Sequence, residues 1–156
     1  MHKISILAVG KLKEAQWQAA QREFTLRLAP FSKLEMVEVA AESITDTAGA
    51  ARSMRLEAER LLGRLQPGDF VVALDRGGKQ LSSENFAAFL DEAGGSGRRL
   101  VFVIGGAAGL DAAVLKRADK KISLSEMTFT HEMARVFLLE QIYRAETILA
   151  GKKYHY

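Results

Sequence analysis

Chemistry in this chain has to be done without thiols. The sequence holds no cysteine, which excludes disulfides, thiolate metal sites and cysteine nucleophiles. Its three histidines, His2, His131 and His155, form no close pair, so their spacing argues against a metal site. Glycine carries the more informative pattern. Gly77-Gly78 follows the apolar run Phe70–Leu74, and Gly105-Gly106 with Gly109 follows Arg99–Ile104. A polar stretch, Ser123-Leu124-Ser125, closes a third apolar segment. Glycine at a strand end lets backbone amides approach a ligand closely, and open parallel sheets bind ligands beyond the carboxyl ends of their strands. Either glycine pair alone reads as a turn. Two such loops after consecutive buried strands, plus the serine loop, point to one shared pocket.

The sequence narrows what that pocket holds. It contains no G-x-x-x-x-G-K-[ST] run, which rejects a P-loop nucleotide site, and no G-x-G-x-x-G fingerprint, since Gly105-Gly106-Ala107-Ala108-Gly109 has the wrong spacing. A G-x-S-x-G nucleophile elbow is absent as well. Asp75 is the one acid directly at a glycine loop, which gives little support for hydrolysis. An adenosine-containing ligand held mostly by backbone groups stays open.

The elements that must position these loops alternate from end to end, the mark of an α/β domain with a mostly parallel sheet flanked by helices. Ile4–Val9, Leu34–Ala40, Phe70–Leu74, Arg99–Ile104 and Ile122–Leu124 read as strands, with Leu34–Ala40 nearest an edge because Glu35 and Glu38 interrupt its apolar residues. Helical spacing runs from Glu14 to about Leu28, where Pro30 stops it, and again from Asp46 to Leu65. The charges of that second helix, among them Arg52, Arg55, Glu57, Glu59, Arg60 and Arg64, read mostly as a solvated face. Ser82 or Ser83 can cap a helix through Phe86 and Leu90, and Leu110–Ala118 forms a short one. With 156 residues and no linker, one domain spanning residues 1–156 is expected.

Composition sets outer limits. The formal charge of +3 permits an anionic partner without announcing one. No apolar run approaches the ~18 residues of a spanning helix, and the apolar N-terminus MHKISILAVGK lacks a small-residue cleavage site. A cytoplasmic location with no membrane partner is expected.

From Thr130 to Ala150 runs the longest helical segment, and its apolar residues fall around nearly the whole circumference at ~100° per residue. A helix apolar on most sides is buried on most sides. The expectation is contact with the core on one side and a second subunit on the other, or else enclosure by its own chain. Arg135 and Arg144 point roughly oppositely and should serve different environments. His2 reads as a solvated terminal residue and His131 as a helix-start side chain bonded to backbone. In the tail, Lys152 and Lys153 can neutralise phosphates, while Tyr154, His155 and Tyr156 can stack on or bond to an unpaired base.

At FVIGGAAGL (102–110) and ISLSEMTFTHEMARVFLLEQIYRAETILAGKKYH (122–155) the chain resembles the ribosomal RNA large subunit methyltransferase H family, of the SPOUT or α/β-knot class. The likeness runs from Ile4 through His155. It implies a homodimer with a C-terminal trefoil knot, which the general avoidance of knots would not have led one to expect. It also implies methyl transfer from S-adenosylmethionine to N3 of a pseudouridine in 23S ribosomal RNA, on assembled ribosomes or large subunits. The cofactor positions that it implies are Leu74, Gly105, Leu124, Ser125, Glu126, Met127, Thr128 and Phe129, with no metal. They fall on the three loops picked out above.

Such a reaction needs the base nitrogen in line with the methyl–sulfur bond, a path for its proton, and stabilisation of charge on the flanking oxygens. Arg144 can supply the last, Tyr154 or His155 can contact the base or take the proton, and His131 beside the cofactor loop is the alternative base. Two rival readings stand beside this one: a knotted methyltransferase acting on transfer RNA, and a non-catalytic RNA-binding ribosome assembly factor.

Overall fold

A computed structural model describes residues 1–44 and 47–155, so the expected helix start at Asp46 and the last tail residue, Tyr156, lie outside the described residues. The elements in order are β1 (His2–Val9), α1 (Ala15–Leu28), β2 (Ser32–Val39), α2 (Thr47–Leu62), β3 (Phe70–Gln80), α3 (Ser83–Gly94), β4 (Leu100–Ile104), α4 (Ala112–Arg117), β5 (Lys120–Ser123) and α5 (His131–Leu149). All strand pairings are parallel, in the order β2-β1-β4-β3-β5. β2 is an edge strand, as its charged alternation predicts. The strand order is compatible with the knot that the resemblance implies.

Two-residue periodicity divides the core. Ile4, Ile6 and Ala8 of β1, with Leu100, Phe102 and Ile104 of β4, face α1, α3 and α5. Leu7, Val9, Val101 and Val103 face the opposite way, onto Leu61 of α2 and Val114 of α4. Burial on both faces is why these central strands read as unbroken apolar runs. Each large side chain so buried contributes roughly 1.5–3 kcal/mol.

β3 runs longer than the sequence predicts. Phe70–Leu74 was expected to end in a glycine loop, yet the strand resumes after an irregularity, pairing Leu74 and then Lys79 with the same Ile122. Gly78 makes this possible: a Cβ there would stand 2.7 Å from the Ile122 nitrogen. Gly77-Gly78 is therefore a close crossing of backbones inside a strand.

α5 lies between α1 and α3 over the sheet. Leu138, Leu139, Ile142 and Ala145 are buried against the core, and Tyr143 packs on Phe24 and Phe31. Most of its apolar circumference is covered by its own chain; Phe137 and Leu149 are its exposed large apolar residues, at 38% and 40%. Of the two expected coverings, enclosure by its own chain accounts for most of the pattern.

Candidate functional site

The irregularity at Leu74–Arg76 within β3 and the ends of β4 and β5 open onto one cleft of about 800 Å³, lined also by the glycine loop 105–109 and the segment from Ser123 to His131. That lies within the size range of small-molecule sites. Each wall has a local cause. Gly109 N–H donates to the Gly106 carbonyl at 3.0 Å, folding the glycine loop back on itself. Ser123 Oγ donates to the Ser125 carbonyl at 2.8 Å, and Ser125 Oγ accepts from Met127 N–H at 3.0 Å, so the serines build the third loop. Arg76 donates to Thr128 Oγ1 at 3.0 Å and ties the first loop to the third. Thr130 then caps α5 by accepting from Met133 N–H.

Leu74, Gly105, Leu124, Ser125, Met127, Thr128 and Phe129, all expected on the cofactor site, line the cleft; Glu126 is exposed and does not. His131 lines it too, and its Nδ1 is buried without a partner, while Nε2 lies 3.2 Å from Glu132. The backbone partner expected for this histidine is not there. An orphaned ring nitrogen, exposed backbone and apolar Leu74, Ile104 and Leu110 suit a ligand with both a flat heterocycle and polar groups. S-adenosylmethionine fits that description.

Arg144, Tyr154 and His155 come together elsewhere, at the far end of α5. Arg144 donates to Glu140 through Nε at 3.1 Å and Nη2 at 2.5 Å, and through Nη1 to the His155 carbonyl at 3.3 Å. Its guanidinium carbon sits 4.8 Å from the centroid of the Tyr154 ring. Burial, then the Glu140 charge and hydrogen bond, push the Tyr154 phenol above its ordinary range. Tyr154 therefore keeps its phenol proton at neutral pH, donated to Glu140, and does not serve as a proton acceptor. His155 Nε2 lies 2.7 Å from Glu84. Thirteen residues separate His131 from Arg144, about 20 Å of helix rise. One chain does not bring all four together at one atom.

Arg135 and Arg144 do serve different environments. Arg135 is fully buried, donating to Glu38 at 2.6 Å and the Gly10 carbonyl at 3.0 Å, and so pins the start of α5 to the strand ends. His2 is no free terminal residue: its Nδ1 pairs with buried Glu146 at 2.8 Å. Glu140 and Glu84 escaped the sequence reading. The spacing of Glu140 four residues before Arg144 was the available signal, whereas nothing local marks Glu84 as a partner of His155. Among the described residues no cluster of His, Asp and Glu could hold a metal ion, and no helix is long and apolar enough to cross a membrane.

A parallel sheet whose strand ends converge on a glycine-lined cleft is the architecture of an α/β enzyme that binds a nucleotide-like cofactor. Residues 2–155 match the family described as Predicted SPOUT methyltransferase. The chain belongs to the SPOUT methyltransferase family and is a methyltransferase. It is 48% identical over 159 residues to the ribosomal RNA large subunit methyltransferase H of Symbiobacterium thermophilum, with 98% of this chain and 99% of that protein covered. The protein of the same name from Pelotomaculum thermopropionicum is 45% identical over 160 residues, covering all of both chains. A solved structure, described as a probable methylase family protein from Haemophilus influenzae, superposes with a TM-score of 0.57 at 12% identity, covering 96% of this chain and 69% of the other. That likeness is one of fold.

Proposed function

We propose that this protein is a cytoplasmic homodimer that methylates N3 of a pseudouridine in 23S ribosomal RNA, using S-adenosylmethionine and acting on assembled ribosomes or large subunits. The convergence of three loops on the cleft, in a chain 48% identical to a ribosomal RNA large subunit methyltransferase H, carries the reading.

When bound, S-adenosylmethionine supplies a methyl group already activated on a cationic sulfur. The chain's task is then placement and charge. Leu74, Gly105 and the loop 124–129 hold the cofactor, with Glu126 assigned on family resemblance alone. Arg144, fixed by Glu140, stabilises negative charge developing on the base oxygens. Tyr154, whose hydroxyl hydrogen is held by Glu140, contacts the base through its ring and phenol oxygen, and His155 or His131 takes the N3 proton. The ~20 Å of helix rise between His131 at the cleft and Arg144 supports a site composed of one subunit's cleft and the other's tail. A small basic surface, with Lys152 and Lys153 exposed beside that cluster, favours RNA already shaped by the ribosome.

Incubating the protein and cofactor carrying a radiolabelled methyl group with transfer RNA, free 23S ribosomal RNA, large subunits and whole ribosomes tests the assignment. Label is expected in the large subunit or ribosome, at one pseudouridine. Label only in transfer RNA would overturn it, and absence of cofactor binding at high micromolar concentration would favour the non-catalytic reading.

A further inference from the structure

We infer that Glu57, a buried carboxylate on α2, makes the cleft distinguish the cationic methyl donor from its neutral demethylated product. The inference rests on the S-adenosylmethionine reading above and adds a residue that the cofactor loops do not include. The sequence placed Glu57 on a solvated face, yet it is 4% exposed. Its Oε2 accepts the Glu42 N–H at 3.0 Å. A Cβ at Gly106 would stand 2.9 Å from Oε1 and 3.1 Å from Oε2, so the carboxylate lies directly behind the glycine loop. The front of that loop is a wall of the cleft.

Among the described residues no cation forms an ion pair with it. Arg60, one turn further along α2, is engaged instead by the Glu42 carboxylate and donates to the Ala40 carbonyl at 2.8 Å. A buried charge without a counter-charge is costly. A cation bound on the other side of a single layer of backbone offsets part of that cost; a neutral ligand of the same shape does not. The cleft's other acids are worse placed for this. Asp75 turns back to accept Gly77 N–H at 3.0 Å, and Glu132 faces His131. Both are more exposed than Glu57 and more screened by water and salt.

Isothermal titration of the intact protein with S-adenosylmethionine, S-adenosylhomocysteine and the cationic amine analogue sinefungin tests the point without any transfer reaction. Glu57→Gln keeps an acceptor for Glu42 N–H and removes the charge. It is expected to weaken the two cationic ligands about 5- to 10-fold and to leave the neutral product within about 2-fold. Glu57→Met, uncharged and of similar length, should give the same split, while Glu57→Asp retains the preference. Equal weakening of all three ligands would show that Glu57 merely supports the loop and would overturn the inference, as would no change in any. Wild-type protein that binds none of the three would overturn the cofactor reading itself, and this inference with it.

Discussion

The Tyr154 hydroxyl donates to the Glu140 carboxylate at 3.2 Å, so a side chain of the C-terminal tail is anchored on α5. The same oxygen accepts Arg144 Nη2 at 2.5 Å, which makes Glu140 the hub of a three-residue cluster. Glu140→Gln leaves the shape and weakens the bonds to both Arg144 and Tyr154. Transfer to large subunits should fall about 10- to 100-fold, in line with the cost of a small misplacement of catalytic groups, with cofactor affinity by calorimetry within about 2-fold. Unchanged turnover would show that the hub does not position the tail for catalysis.

Truncation after Gly151 should abolish transfer while leaving cofactor binding largely intact, because among the described residues the cleft is lined from Leu74 to Ala134 and by none of the tail. Mixing truncated protein with the cleft-filling variant Thr128→Trp then asks where the site lies. If the tail serves the partner's cleft, mixed dimers of a symmetric pair carry one intact site. About a quarter of wild-type activity should return on equal mixing. No recovery would place cleft and tail of a working site in the same subunit.

Gly78→Ala should lower the midpoint of thermal unfolding, since the added methyl would meet the Ile122 backbone at 2.7 Å and no flexible side chain can yield. Overpacking of this kind costs about 1–3 kcal/mol. Cofactor affinity should fall as well, because Leu74 and Leu124 flank the disrupted pairing. A variant as stable as the parent would mean that the strands separate there without penalty.

The Asp69–Arg99 pair predicts acid sensitivity. Burial raises the Asp69 carboxyl, but hydrogen bonds from Arg99 and Gln66 N–H, with the Arg99 and Arg117 charges, outweigh it and hold the group below its ordinary value of 3.8. A depressed carboxyl contributes stability that is complete above the unfolded-state value and lost as pH falls through the folded-state value. Asp69→Asn should therefore cost about 2–3 kcal/mol at neutral pH, with a progressively smaller penalty below about pH 4. Denaturant unfolding at pH 7 and pH 3 checks this, and an equal penalty at both would contradict it.

By itself the sequence determined what depends on near neighbours along the chain. Alternating apolar runs and helical spacing gave the parallel α/β architecture, and the glycine loop 105–109 and the serine loop at strand ends marked two walls of the cleft, whereas Gly77-Gly78 lies inside β3. The opposed fates of Arg135 and Arg144 followed from helix geometry alone. The tertiary structure decided what depends on approach between distant segments. Gly78 is required by Ile122, the Glu57 carboxylate lies against Gly106, and His155 is held by Glu84. A residue's local spacing says which face it occupies; only packing says what that face meets. The same reason applies to the apolar circumference of α5: spacing showed that it had to be covered, and only the packing of α1 and α3 showed how much of it its own chain covers.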